Sequence, residues 1–261
     1  MKKINLLVLV AILSISILTA CQGNSSPTTE SLASEDSLSL YDHSLMIYCG
    51  AGMTKPFEEI TTAFKEETGC DLAVTYANAG QIQSQINTAQ AGDLFIAGSS
   101  DELAPVKEVV TQSKDLVKHI PVLVTQKDNP KSISGIKDLA NAEIRTVLGD
   151  ADSTPIGKIA NKALTDTGIL NQVNVIARTT TAPAIATALE TDEADAGIIW
   201  KENAGKLSIV DTTDLDTYIK TVPAATLSYC QDQEALMAFL DYLDSDEVKS
   251  IWTNYGYETI N

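Results

Sequence analysis

Apolar residues along this chain fall into two alternating kinds of run. Short continuous runs of β-type residues are each followed by a stretch whose apolar positions recur three and four residues apart. Leu45-Met46-Ile47-Tyr48 precedes the stripe Phe57, Ile60, Phe64, and Leu72-Ala73-Val74-Thr75-Tyr76 precedes Ile82, Ile86, Ala89. Leu94-Phe95-Ile96-Ala97 leads to an acidic helix start near Asp101, and a new section opens at His119-Ile120-Pro121-Val122-Leu123-Val124. Ile144 to Leu148 then precedes Ile156, Ile159, Ala160, Ala163 and Leu164, closed by Gly168. Val173-Asn174-Val175 precedes a helix from Ala182 through Leu189, and Gly197-Ile198-Ile199-Trp200 follows. Two amphipathic helices end the chain, one carrying Leu236, Phe239, Leu240 and Leu243, the other Val248, Ile251, Trp252 and Tyr255. Short β-type runs alternating with period-3.6 stripes predict an α/β protein, and the stripes themselves read as core.

The first twenty residues follow a different rule. Lys2 and Lys3 open a run that is apolar from Ile4 to Leu18 apart from Asn5, Ser14 and Ser16, and it ends in Leu18-Thr19-Ala20-Cys21. A basic start, a short apolar stretch and small residues before a cysteine read as a signal peptide over 1–20, with Cys21 as the lipid-modified mature N-terminus. The apolar stretch is shorter than the roughly 20 residues that a membrane-spanning helix needs. From Gln22 the chain is dominated by Ser, Thr, Asn, Gly, Glu and Asp, too polar to offset the entropy of ordering. Residues 21–43, with His43 at the end, are expected to form a flexible tether. The body is then placed outside the cytoplasm and anchored to the cell membrane through Cys21.

Charge narrows the choice of partner. The 261 residues carry 18 Lys and Arg against 35 Asp and Glu, a formal net charge of −17. Nucleic acid is excluded as a partner on that balance. A small anion is not excluded, because a recessed site built from backbone N–H groups at helix N-termini holds an anion without net positive charge. Apart from Cys21 the cysteines are Cys49, Cys70 and Cys230, with no C-x-x-C and no nearby histidine pair, so no metal site and no cofactor are expected.

Four turns repeat one arrangement of strand, glycine or threonine turn, and helix. They are Cys49-Gly50-Ala51-Gly52-Met53-Thr54, Asn78-Ala79-Gly80-Gln81, the segment Gly149-Asp150 through Pro155-Ile156-Gly157, and Thr179-Thr180-Thr181-Ala182-Pro183. In open α/β sheets ligands collect beyond the carboxyl ends of strands, where helix N-termini offer unpaired N–H groups.

Five segments in order carry a family resemblance: Ala51-Gly52-Met53-Thr54-Lys55-Pro56-Phe57-Glu58-Glu59-Ile60, Gly92-Asp93-Leu94-Phe95-Ile96-Ala97, Gly149-Asp150 to Gly157, Glu193-Ala194-Asp195-Ala196-Gly197-Ile198-Ile199-Trp200, and Asn254-Tyr255-Gly256-Tyr257. From Leu45 onward the chain resembles the molybdate-binding proteins of ABC importers. The resemblance implies an α/β, two-lobed type II periplasmic-binding-protein fold with the ligand cleft between the lobes. Lobe 1 is expected over 44–120 and 225–261 and lobe 2 over 121–224, with hinge segments near His119 to Leu123 and Thr221 to Leu227. It further implies a monomer that presents a tetrahedral oxyanion, molybdate or tungstate, to a membrane permease. Carried over by position, the ligand contacts are Gly52, Ala79, Ile156, Ala182 and Trp200. Gly52 and Ala79 stand where the family usually has serines, and Trp200 where it has a tyrosine. Thr54, Asn78 and Thr181, with Ser153, Thr154 and Thr180, are the nearby candidates to replace the missing hydroxyl donors, the alternative for each being a helix cap or turn contact. Trp200 is expected at the lobe interface with its indole N–H directed into the cleft.

Two other classes are weighed against this one. A receptor for an amino acid or other carboxylate would use an arginine, and Arg178 follows a predicted strand in the right region. An enzyme is not expected: there is no G-x-S-x-G elbow, and His119 is the sole histidine after His43.

Overall fold

A computed structural model describes residues 39–260. Cys21, the signal segment and most of the expected tether lie outside the described residues. The body begins earlier than the sequence reading placed it. Leu40 is fully buried, its N–H donates to Thr68 O at 2.7 Å, and Asp71 N–H donates to His43 O at 3.0 Å. His43 Nδ1 lies 3.0 Å from Asp232, whose carboxylate also accepts from Ser44 N and caps the helix of residues 233–242 through Ala235 N. Leu40 to His43, expected as the end of the tether, are therefore corrected to part of the folded body: one buried leucine leaves no periodic signal.

The first lobe starts with β1 (Ser44–Gly50), α1 (Thr54–Thr68), β2 (Asp71–Ala77), α2 (Ala79–Ala89), β3 (Leu94–Ile96) and β4 (Val110–His119). After Ile120 the chain enters the second lobe with β5 (Pro121–Thr125), β6 (Thr146–Gly149), α3 (Pro155–Asp166), β7 (Val175–Thr179), α4 (Ala182–Glu190), β8 (Ala196–Trp200) and β9 (Ser208–Ile209). It returns through β10 (Lys220–Leu227) to α5 (Gln233–Tyr242), α6 (Asp246–Asn254) and β11 (Glu258–Thr259). The first sheet runs β11-β4-β10-β3-β1-β2 and the second β7-β6-β8-β5-β9. This is the two-lobed α/β architecture expected. The second hinge is corrected: Thr221 to Leu227 lies inside β10, so the return falls near Ile219 and the second lobe ends there rather than at residue 224. Pro223 hides the strand, since proline argues against a central strand, and the register shift between Val222 and Pro223 is the irregularity that admits it.

Each lobe has its own core. In the first, Phe57 and Phe64 of α1 pack edge-on against Phe239 of α5, with centroids 6.2 and 5.0 Å away, and Trp252 of α6 closes the cluster. In the second, Ile156, Ala160, Ala163 and Leu164 of α3 cover Leu148 and Ile198.

One ion pair fixes the start of the second sheet. Asp195 is 3% exposed; its carboxylate accepts from Arg145 Nη2 at 2.8 Å, Nε at 3.2 Å and the Arg145 backbone N–H at 2.8 Å. The hydrogen-bonded Arg145 guanidinium holds the Asp195 carboxyl below the usual range, against a smaller opposing effect of burial. A lowered folded-state value means stability that is present above the unfolded value of about 3.9 and lost as pH falls through the folded value. Asp195→Asn is expected to cost about 1–3 kcal/mol at pH 7, discounted because Arg145 is half exposed, and to flatten the loss of stability below about pH 4. Urea unfolding at pH 7 and pH 3 checks both; an unchanged acid limb contradicts the assignment.

Candidate functional site

The paired registers decide which turns meet. β1 and β2 are parallel with Gly50 opposite Ala77, so the turn holding Gly52 stands beside the one holding Ala79. β6 and β7 are parallel with Gly149 opposite Thr179, which sets the turn of Ile156 beside that of Ala182. All four turns lie at strand carboxyl ends, and neighbouring strands are about 4.8 Å apart. Trp200 ends β8, the other parallel neighbour of β6.

Three of the four helix starts are capped by their own sequence, and α1 has no side-chain cap. Asn78 Oδ1 accepts from Gln81 N at 3.0 Å while its amide donates to Gln81 Oε1 at 2.7 Å. Thr154 accepts from Gly157 N at 3.0 Å and donates to Asp150 O at 2.7 Å. Thr181 accepts from Ala184 N at 3.4 Å. Thr54 donates to Ala51 O at 2.8 Å, and Ser153 donates to Asp150 Oδ1 at 2.6 Å. The hydroxyl protons of Thr54, Ser153 and Thr154 are thus engaged within their own turns, whereas Thr181 only accepts, and its O–H, like Thr180 and one Asn78 amide N–H, donates to no other described residue. The backbone is different. Ala79 and Ala182 are the first residues of α2 and α4, and Ile156 follows Pro155 at the start of α3, so their amides have no acceptor one turn back. Gly52 is exposed, and a Cβ built on it meets no atom within 4 Å.

The segment 149–157 is wound tightly. A Cβ on Gly157 would stand 2.2 Å from Asp150 O, and one on Gly149 would stand 2.7 Å from Thr154 Oγ1. Asp150 sits at the mouth of this turn with its carboxyl held low, first by the Ser153 hydroxyl and then by the Ser153 amide, with Arg178 adding a weaker attraction. Arg178 itself donates to Gly149 O at 3.1 Å and to Asn161 Oδ1 at 2.7 Å, so its guanidinium ties β6 to α3. Cys49 is fully buried and burial pushes its thiol well up, so it offers no thiolate to a ligand.

Trp200 is 8% exposed. Its ring stacks on His119 at 3.6 Å between centroids and 21° between planes, and its indole N–H makes no hydrogen bond to another described residue. The junction around it, comprising His119, Glu202 and Tyr257, carried no signal in the sequence beyond a single histidine at the hinge.

A family model described as bacterial extracellular solute-binding protein matches residues 45–258. The chain is 26% identical over 223 residues to the "putative ABC transporter substrate-binding lipoprotein" YvgL of Bacillus subtilis, covering 82% of this chain and 85% of that one. It is 25% identical over 227 residues to the molybdate-binding protein ModA of Escherichia coli, covering 82% and 88%. Among solved structures, the "substrate binding domain of putative molybdenum ABC transporter" from Clostridium difficile superposes with a TM-score of 0.72 at 25% identity, covering 84% of this chain and 99% of that one.

Proposed function

From the premise that this chain belongs to the bacterial extracellular solute-binding proteins, we propose that it is a lipid-anchored receptor of an ABC importer that binds a tetrahedral oxyanion, molybdate or tungstate, between its lobes. The observation that carries this reading is the pairing of four helix starts at strand carboxyl ends, two per lobe, with the amides of Gly52, Ala79, Ile156 and Ala182 available and the hydroxyl protons of Thr54, Ser153 and Thr154 engaged within their own turns. A site of N–H donors suits a fully deprotonated oxyanion and gives no acceptor to a ligand that brings a proton. The relatives named for molybdate and molybdenum point the same way. Arg178 is engaged by Gly149 and Asn161, which removes the feature that favoured a carboxylate ligand.

Thermal shift and calorimetry across molybdate, tungstate, sulfate, phosphate, chromate and common amino acids test the ligand. Ligand at a hundredfold excess over its Kd stabilises the fold by about 2.7 kcal/mol. Stabilisation by amino acids and by none of the oxyanions would overturn the reading.

The anchor rests on Leu18-Thr19-Ala20-Cys21 and on the similarity to a lipoprotein. Among the described residues no helix is long and apolar enough to cross a membrane. Cys21→Ala is therefore expected to move the protein out of the membrane fraction, or to leave it unprocessed. A signal-cleaved variant recovered with membranes would refute the anchor.

A further inference from the structure

At the hinge, His119 is held between two acceptors. It ends β4, one residue before the crossing to the second lobe. Its Nδ1 lies 3.0 Å from Gly98 O, in the turn after β3, and its Nε2 lies 2.8 Å from Glu202 Oε1, in the turn after β8. Gly98 belongs to the first lobe and Glu202 to the second. Both partners accept, and neither can donate while Glu202 is a carboxylate. A neutral imidazole carries one N–H and satisfies one of them; both contacts are hydrogen bonds only when both ring nitrogens carry protons. The side chains are 13% and 8% exposed, so the contact is sheltered from water. Trp200 covers the ring face at 3.6 Å, the placement that favours a cation over an indole.

The groups around the ring come from both lobes. Glu102 accepts from Gly98 N at 2.8 Å, and burial raises its carboxyl above the usual range despite that bond. Tyr257, 5% exposed and 6.1 Å from the His119 ring, has its phenol pushed up by burial and then by the charge of Glu202. Next to it, a Cβ on Gly256 would come within 3.0 Å of Glu202 Cα, so the C-terminal segment lies directly on the second-lobe turn. Lys201 pairs with Glu258 of β11, which Lys118 of β4 also approaches at 3.6 Å. The lobes thus meet through side chains beside the covalent crossings.

We propose that His119 is held as an imidazolium and that the Gly98–His119–Glu202 bridge is a proton-linked latch setting the angle between the lobes, which makes His119 and Glu202 positioning residues for ligand capture. The inference rests on the solute-receptor reading only for what the angle is used for. Loss of one ring proton leaves either Gly98 O or Glu202 without that donor, and the side-chain tie between the lobes at the hinge is weakened.

The test uses the full chain without ligand. Long-range proton–nitrogen spectra of wild type at pH 7 are expected to show protons on both ring nitrogens of His119. Spin labels at the exposed positions Glu66→Cys and Asn171→Cys, one on each lobe, are expected to give a single narrow distance distribution. That distribution should broaden as pH rises, in step with loss of a His119 ring proton. Glu202→Leu, which removes the acceptor, is expected to give the broad distribution already at pH 7 and to abolish the pH step, with the fold checked by circular dichroism. A bare ring nitrogen in wild type at pH 7, or a Glu202→Leu distribution as narrow as wild type, overturns the proposal; the spectrum stands even if the variant fails to fold. Failure of molybdate to bind wild type would count against the proposed ligand and leave these readouts unchanged.

Discussion

Gly157→Ala is expected to destabilise the protein by about 3 kcal/mol or more and to remove oxyanion binding with it. The added methyl would stand 2.2 Å from Asp150 O, 2.5 Å from Asp150 C and 2.6 Å from Gly149 C. These are backbone atoms, unable to swing away as the end of a side chain would. Relief requires parting the end of β6 from the first turn of α3. That breaks the Thr154 cap on Gly157 N and carries the Ile156 amide out of place. Gly52→Ala is the control. Its methyl meets nothing within 4 Å, so its cost should stay within about 0.5 kcal/mol. Urea unfolding with and without molybdate separates the two. A Gly157→Ala variant within about 1 kcal/mol of wild type would show that the turn opens more easily than its contacts imply.

Gly52→Ser combined with Ala79→Ser is expected to tighten molybdate binding by about tenfold or more per hydroxyl, taking about 1.5–3 kcal/mol for a hydrogen bond to a charged acceptor. The open space at Gly52 receives a hydroxymethyl group without a clash. Ala79 already carries a Cβ at the first position of α2, beside the Gly52 turn through the pairing of Gly50 with Ala77. The wild-type site would then rely more on amides than on hydroxyls, which predicts weaker binding than in relatives with serines there. Calorimetry on the double variant is the measurement. Unchanged affinity for molybdate and tungstate would place the oxyanion away from these two turns.

Much of this architecture was legible because local chemistry and hydrophobic period agree. α2, α3 and α4 announce themselves through Asn78, Thr154-Pro155 and Thr181 with Pro183, residues that cap or preset a first turn, followed by stripes that bury. β1 and β8 are apolar runs because sheet neighbours and helices enclose them. β4 was missed because Val110–His119 is mostly polar and exposed, so nothing alternates strongly enough to mark a strand. β10 was missed through Pro223. The helix near Asp101 is only a 3-10 segment, Ser100–Val106, containing Pro105. β7 runs over Val175–Thr179 rather than 173–175, since Ile176, Ala177 and Arg178 on the sheet edge are exposed. At the site, the turns were legible and their side chains less so. Whether Asn78 or Thr181 caps its helix or faces a ligand depends on a rotamer, which the residue type leaves open. Trp200 shows the same limit: its place at the end of β8 was predictable, but its partner His119 comes from the other lobe.

The return of the chain through β10 has a consequence for the order in which the protein can be completed. β10 lies between β3 and β4, so these strands of the first sheet, made early in synthesis, have no direct pairing with each other. The second lobe is contiguous from Pro121 to about Ile219 and closes on pairings within that stretch. The first must hold its ends open until Lys220–Leu227 arrives more than a hundred residues later. Loop-closure entropy and high sequence separation both slow that last step. The first lobe is thus denied its central strand until nearly all of the chain has been made, so it is the second lobe that can be completed first.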